Sequence, residues 1–375
     1  MSPLAHPNAY RPAVESTTPP FSTNVTIERA DPRDFRDEVI ALHARNGSDV
    51  TSKLFDWYYS DNGQGRPVSW LARHLPDRRI VGMCSVVPRT FRISTTLVRA
   101  GVAGNLLVDA ESRNTLVVLH LLRATKALVL EDQVDVLLGT PNKLPQTVAV
   151  RMGFHQIDHW RTYAQIFHSR QPLRYRYGWL GTLASPGLDI AAALCRLRSN
   201  WYGRNPRARF RMTRLAESRL EEIADEAWTD ADHCLKLQSS AAFLHWRFNS
   251  APHKSYQLLG LDPANGGLCG YLAVHPVAGR VHVCECRTDA RRLSEADAIL
   301  QLCHDKHFRE ATVWVTTLRG SHLAQRLADW GFVPVPPSFG GCALALLGFW
   351  RSDHHLAHYF AQPSCWNTFV GFNDV

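Results

Sequence analysis

No stretch of this sequence is apolar for long enough to cross a bilayer as a helix. The most membrane-like run, LASPGLDIAAALCRLR, is too short for a span and carries Asp189 and arginines, so it reads as an amphipathic helix. A membrane-surface contact through Trp201, Tyr202 and the nearby arginines stays open as a minor alternative. The opening MSPLAHPNAYRP has neither a basic nor an apolar segment and does not read as a secretory signal. Cys284 and Cys286 form a C-x-C, but no second pair stands at zinc spacing, and alternation along one strand explains them more simply. The nine dispersed cysteines read as thiols of a reducing cytoplasm, and no metal is expected. No run of consecutive basic residues concentrates the excess of 42 Lys and Arg over 34 Asp and Glu. The net charge of +8 is therefore no sign of a dedicated nucleic-acid binder, though it attracts polyanions, acidic lipids or a phosphate-rich cofactor.

What is present is a globular balance, 45% hydrophobic and 20% charged, in a length of 375 residues that suits two domains. The eleven tryptophans are many for that length and suit both core and cleft positions. Residues 1–22, rich in Pro, Ser and Thr, read as a flexible lead. TNVTIERA reads as a strand, and DPRDFRDEVIALHARN as a helix started by Asp31. TSKLFDWYYSD follows as a short helix. Three strands then come with turns at Asp77 and Ser94: VSWLARHL, RIVGMCSVVPRTFRI and TLVRAGVAGNLLVD. TLVVLHLLRATKALVLED is a helix, VDVLLGT a strand and PQTVAVRM a helix stopped at Gly153. A meander followed by alternating strands and helices is an α/β domain with a mixed sheet.

After a connecting segment, 166–205, the same order returns. RFRMTRL, SYQLLGL, GLCGYLAV, RVHVCECRT, ATVWVTT and CALALLGFW read as strands; ESRLEEIADEAW, SAAFLHWRFN, 293–308 and HLAQRLADW read as helices. LFDWYYS in the first half answers FLHWRFNS in the second, and RMGF answers DWGF. Two such pairs in one order point to duplication, with copies at 23–165 and 206–375.

NLLVDAESRNTLVVLHLL resembles the strand, pyrophosphate loop and helix that hold coenzyme A in the GCN5-related N-acetyltransferase (GNAT) superfamily. LLGTPNKLPQTVAVRMGF is similar to its later strand, Asn and helix ending in Gly-Phe. The whole resembles the two-copy bacterial members that acylate sugars, polysaccharides or natural products. The closing WNTFVGFNDV resembles the tail of such proteins. The resemblance implies an α/β, tandem duplicated fold, each copy a mixed central sheet flanked by helices. It implies an acyl-CoA or acetyl-CoA donor, or an acyl carrier protein, and a sugar or small-metabolite amine as acceptor.

The resemblance also implies a donor site. Leu107 or Val108 would supply a backbone amide, and Arg113, Asn114 and Thr115 a pyrophosphate turn at a helix N-terminus. Asn142 would contact the pantetheine arm, or else cap the helix that follows it. The chain departs from the pattern in two places. The loop lacks the closely spaced glycines that let a backbone approach phosphate, and Ala149 and Leu327 stand where the family's acidic Tyr is found.

A base is needed to keep the attacking amine neutral. Glu285, a carboxylate among apolar strand neighbours, is one candidate, and His282 is its rival. Asp109 and Asp289 mark equivalent strand ends, as reacting groups or caps. Cys284 reads as a core thiol. Trp57 and Trp246 read as core or as walls on which an acceptor sugar stacks, with Arg247 pairing a phosphate or carboxylate. Two further classes compete with the acyltransferase. One is an aminoacyl-tRNA-dependent transferase of the peptide-bridge type, the only reading that brings in a nucleic acid. The other is a catalytically inactive binding protein.

Overall fold

The computed structural model describes residues 24–60, 62–112, 115–165, 210–223, 234–263, 267–305, 307–308 and 311–369. The connecting segment 166–205, with its expected helix, lies outside them, as do Arg113 and Asn114. Strand β1 (Val25–Ala30) leads through a 3-10 turn into α1 (Arg36–Arg45). The Asp31 carboxylate accepts the Arg33 N–H at 3.0 Å, which starts the turn. Thr51 caps α2 (Ser52–Tyr59) by accepting the Leu54 N–H at 3.2 Å. The meander β2 (Val68–His74), β3 (Ile80–Ile93) and β4 (Thr96–Val108) follows. The half continues with α3 (Thr115–Leu130), β5 (Val136–Gly139), α4 (Lys143–Arg151) and β6 (His155–Gln165).

The second half contains β7 (Phe210–Arg214), β8 (Leu235–Leu237), α5 (Ala241–Leu244), β9 (Gln257–Pro263), β10 (Gly270–Val277) and β11 (Arg280–Thr288). It continues with α6 (Glu295–His304), β12 (Thr312–Leu318), α7 (His322–Asp329), β13 (Val333–Pro334), β14 (Ala345–Phe349), α8 (Ala357–Ala361) and β15 (Trp366–Asn367). The helix expected over ESRLEEIADEAW is, in its described part, a 3-10 turn over Glu217–Glu222. Arg219 ties that turn sideways to Asp262 on β9 at 2.9 Å. The helix expected over SAAFLHWRFN starts regularly, then widens into a π turn at His245–Asn249 that buries Trp246, Arg247 and Phe248 in succession. Three consecutive buried residues are more than one face of a regular helix offers.

One mixed sheet runs in the order β1-β2-β3-β4-β5-β14-β6-β12-β11-β10-β9-β7. The halves exchange strands at its centre. β14, from late in the chain, fills the slot between β5 and β6, with Leu347 opposite Gly139 and Ala345 opposite His159. The far end of β6 fills the matching slot between β12 and β13, where Ala164 lies opposite both Trp314 and Val333. The sheet is thus continuous across residue 165, and each half completes the other. Both Gly-Phe stops form the same turn. Gly153 and Gly331 adopt φ of 87° and 81°, and Phe154 and Phe332 donate back to the carbonyls of Ala149 and Leu327 at 3.1 and 3.0 Å.

The halves also meet through α2 and the π turn after α5. Trp57 and Trp246 stack with centroids 4.6 Å apart and planes 6° from parallel. Each indole N–H donates to the other residue's carbonyl, Trp57 to Trp246 at 2.8 Å and Trp246 to Trp57 at 3.0 Å. One apolar core is shared across this junction, holding Phe55, Leu71 and Phe91 together with Phe243, Tyr271 and Trp366.

Candidate functional site

Strands β4 and β5 run parallel only as far as Ala103 opposite Gly139. Beyond that point they part. On one side β5 ends at Gly139, just before Thr140 and Pro141, and proline lacks the N–H needed to continue the ladder. On the other, β4 carries a bulge in which Asn105 and Leu106 lie opposite Cys84, with Asn105 at φ 51°. A bulge bends its strand, and Asn tolerates the left-handed region better than most residues. The result is a cleft of about 300 Å³ lined by Gly104–Leu107 from β4 and by Gly139–Asn142 from β5 and its exit. Ala149 and Phe154 close its far wall.

The structure separates the two residues expected to offer an amide. The Asp109 N–H donates to the Val81 carbonyl at 2.8 Å, so by strand alternation the Leu107 N–H faces β3 and the Val108 N–H points away from it. The Leu107 side chain lines the cleft instead. Asn142 stands at the cap position of α4, but its side chain makes no cap hydrogen bond and borders the cleft. Thr115 is the first residue of α3.

Asn105 lines this cleft and also a second cavity of about 390 Å³, bounded by α1, α2 and the segment after the π turn. Its amide donates to the Tyr59 hydroxyl at 3.3 Å, which sits 3.3 Å from Ser85 Oγ. Burial pushes the Tyr59 phenol up to about 12 and raises that of Tyr58 strongly. The Tyr58 hydroxyl has no partner and stands where a side chain on Gly104 would meet it, 3.1 Å from an ideal Cβ. His43, also on the cavity wall, is 4% exposed and its Nδ1 has no partner. Burial lowers its pKa, which keeps the imidazole neutral. Cys84 beside the bulge is pushed up to about 12 by burial and is a thiol, not a nucleophile, at neutral pH.

The other singled-out residues lie elsewhere. The Asp109 carboxylate accepts from Arg45 Nε at 3.1 Å and from Asn46 at 3.3 Å, which anchors α1 to the end of β4. His282 lies on the paired part of β11, opposite Trp314, its ring 5.4 Å from that indole. Glu285 accepts from Ser239 at 2.6 Å and from Tyr271, and is 8% exposed. Arg247 is fully buried next to Arg89, whose pKa falls to about 9 through burial first and Arg247 second. Arg89 lies 5.3 Å from the Trp246 ring centroid, so that indole has Trp57 on one side and a guanidinium close by. Stacked on each other, Trp57 and Trp246 both border the neighbouring groove.

Glu285 occupies in β11 the place that Asn105 has in β4, two residues past the last position paired to the parallel neighbour. The second half opens there as the first does, but its opening is filled. The segment 366–369 crosses it: Asn367 donates to Glu295 at 2.5 Å, Thr317 donates to the Thr368 carbonyl at 3.0 Å, and Phe369 bridges to Thr317. A space of only about 20 Å³ is left, room for little more than one water. Among the described residues no group of three or more His, Cys, Asp or Glu is placed to hold a metal, no disulfide links the cysteines, and no helix is long and apolar enough to cross a membrane.

Sequence reasoning missed His43 and Asn105. Both left a trace: His43 interrupts the buried stripe Val39–Leu42–His43 of α1, and Gly104-Asn105 interrupts a strand, where such a pair marks a bulge.

The sequence matches no family model and no curated protein. The fold does have solved counterparts. A conserved Enterococcus faecalis protein, described as a probable N-acyltransferase, is 10% identical with a TM-score of 0.59, over 87% of this chain and 72% of the other. Saccharomyces cerevisiae N-myristoyltransferase with myristoyl-CoA and inhibitors is 12% identical with a TM-score of 0.56, over 91% and 83%. A GCN5-related N-acetyltransferase from Anabaena variabilis is 9% identical with a TM-score of 0.56, over 86% and 72%. This chain therefore has the GCN5-related N-acetyltransferase fold, a large mixed sheet flanked by helices.

Proposed function

We propose that the protein is an N-acyltransferase that moves an acyl group from a thioester donor to an amine. The observation that carries this reading is the contrast between the two splayed strand pairs. The first is open, lined by strand backbone, and adjoins a second cavity at Asn105; the other is filled by the segment 366–369. The donor, an acyl-CoA or an acyl carrier protein, would lay its pantetheine arm between β4 and β5 beside Asn142. Its phosphates would be met by Arg113, Asn114 and Thr115. A backbone amide at the splayed end of β4 would polarise the thioester carbonyl. A sugar or small metabolite carrying an amine would enter through the second cavity. The likeness to acyltransferases, one of them described with bound myristoyl-CoA, supports the reaction class through fold alone.

Calorimetric titration of the full chain with coenzyme A and acetyl-coenzyme A tests this reading. One site per chain, weakened in Arg113→Ala and in Asn142→Ala, is the expected result. Absence of binding to well-folded protein overturns the coenzyme A form of the proposal and shifts the donor to a carrier protein.

A further inference from the structure

We propose that Ser250, His245 and Glu217 form a second active site, a serine esterase centre for small uncharged esters that works independently of the acyl transfer proposed above. Ser250 Oγ lies 3.0 Å from His245 Nε2, and the Glu217 carboxylate lies 2.7 Å from the other ring nitrogen, Nδ1. All three residues border the groove of about 1140 Å³ beside the stacked tryptophans. Hydroxyl, imidazole and carboxylate in that order are the parts of an activated serine nucleophile, which is recognised by geometry and not by position in the sequence.

The backbone explains why the three meet. His245 and Ser250 are five positions apart, and on a regular helix their side chains would stand about 140° apart and face different ways. The π turn changes this. The Ser250 N–H donates to the His245 carbonyl at 2.9 Å, and this wider closure brings both side chains to one side. Glu217 comes from a separate segment, the 3-10 turn that Arg219 holds to Asp262. Its charge draws the ring proton to Nδ1, which leaves the Nε2 lone pair to accept the Ser250 proton. Ser60, also on the groove, is committed elsewhere, its Oγ donating to the Trp57 carbonyl at 2.8 Å.

The groove selects the substrate. Trp57, Leu220 and Trp246 offer apolar surface, Asp56 and Glu221 add negative charge, and no lysine or arginine is among the described lining residues. An ester that carries a carboxylate or phosphate is repelled there, and a neutral one is admitted. The His245 side chain is 49% exposed, so groove water solvates the developing oxyanion and the centre suits esters with a good leaving group.

In the reaction, a Ser250 Oγ lone pair forms the O–C bond to the ester carbonyl carbon while His245 Nε2 takes the hydroxyl proton, and the carbonyl π pair moves to oxygen. Collapse breaks the bond to the alcohol oxygen, which leaves with the bonding pair and takes the proton from the imidazolium. Water then attacks the acyl-serine, His245 takes its proton, and collapse returns that proton to Ser250 Oγ. One ester and one water give one carboxylic acid and one alcohol.

The test follows p-nitrophenol release from p-nitrophenyl acetate by the full chain, together with fluorophosphonate labelling located by peptide mass spectrometry. Wild type, Ser250→Ala, His245→Gln and Glu217→Gln are compared, each with its thermal midpoint. Loss of the nucleophile or of its base should lower the rate by about 10²-fold, and Glu217→Gln by less. The expected label lies on Ser250 in wild type and is lost in Ser250→Ala, with midpoints unchanged because all three side chains are exposed. A wild type that carries no label on Ser250 overturns the proposal, however the variants fold. So do equal rates in wild type and Ser250→Ala, which mark scattered surface nucleophiles. Equal rates on p-nitrophenyl acetate and the anionic p-nitrophenyl succinate overturn the stated substrate class. Neither readout uses coenzyme A, so failure of the acyl-transfer reading and failure of this one are separate results.

Discussion

The stacked tryptophans at the junction of the halves allow a quantitative prediction. Each indole N–H donates to the main-chain carbonyl of the other residue, so each hydrogen bond depends on one indole only. Trp57→Phe removes one donor and leaves a buried Trp246 carbonyl unsatisfied, which costs about 1–3 kcal/mol. Trp57→Ala adds the lost packing of a side chain that is 7% exposed and reaches about 3–5 kcal/mol. The face-to-face contact is different, because either truncation destroys it. The double variant Trp57→Ala/Trp246→Ala should therefore destabilise less than the sum of the singles, by the roughly 0.5–1.5 kcal/mol that an aromatic pair contributes beyond its area. Urea unfolding followed by far-ultraviolet circular dichroism measures all four corners of the cycle. Additivity within about 0.3 kcal/mol refutes the stack as an energetic tie. A Trp57→Phe variant as stable as wild type refutes the hydrogen bond.

Asn142→Ala should leave stability within about 0.5 kcal/mol, because no cap bond is lost, while weakening coenzyme A binding in the same titration. Trp366→Ala should destabilise by about 3–5 kcal/mol in urea, since that indole is fully buried, donates to the Phe360 carbonyl and meets Phe91 edge-on. Tyr58→Phe removes a buried hydroxyl that has no partner and should raise the thermal midpoint, read by calorimetry. His43 has a folded-state pKa below its unfolded value of 6.5, so the unfolded chain binds more protons near and below that pH. Its contribution is complete above pH 6.5 and fades as pH falls toward the folded pKa. His43→Gln should flatten that part of the stability–pH curve, and an unchanged slope would contradict the burial that causes the shift.

The sequence by itself determined the local elements and their order. Asp31 and Thr51 as caps, Gly153 and Gly331 as helix stops, and the strand alternation of RVHVCECRT are short-range signals that backbone sterics and capping enforce. LFDWYYS and FLHWRFNS were legible as short helical segments for the same reason, and the cleft between β4 and β5 was legible through its flanking motifs. Legibility ended where residues far apart in the chain decide. Trp57 and Trp246, 189 positions apart, read alike as core or as acceptor wall, and only their meeting shows each ring to be the other's partner. Glu285 looked reactive on its strand because its hydroxyl donors, Ser239 and Tyr271, come from other segments. The tertiary structure alone decided that β14 and β6 trade places, that segment 366–369 fills the second opening while the first stays open, and that His43 and Asn105 border one cavity. Pairing, burial and cavity shape depend on which segments converge in space, and that convergence is set by the whole packed sheet, not by any window of sequence.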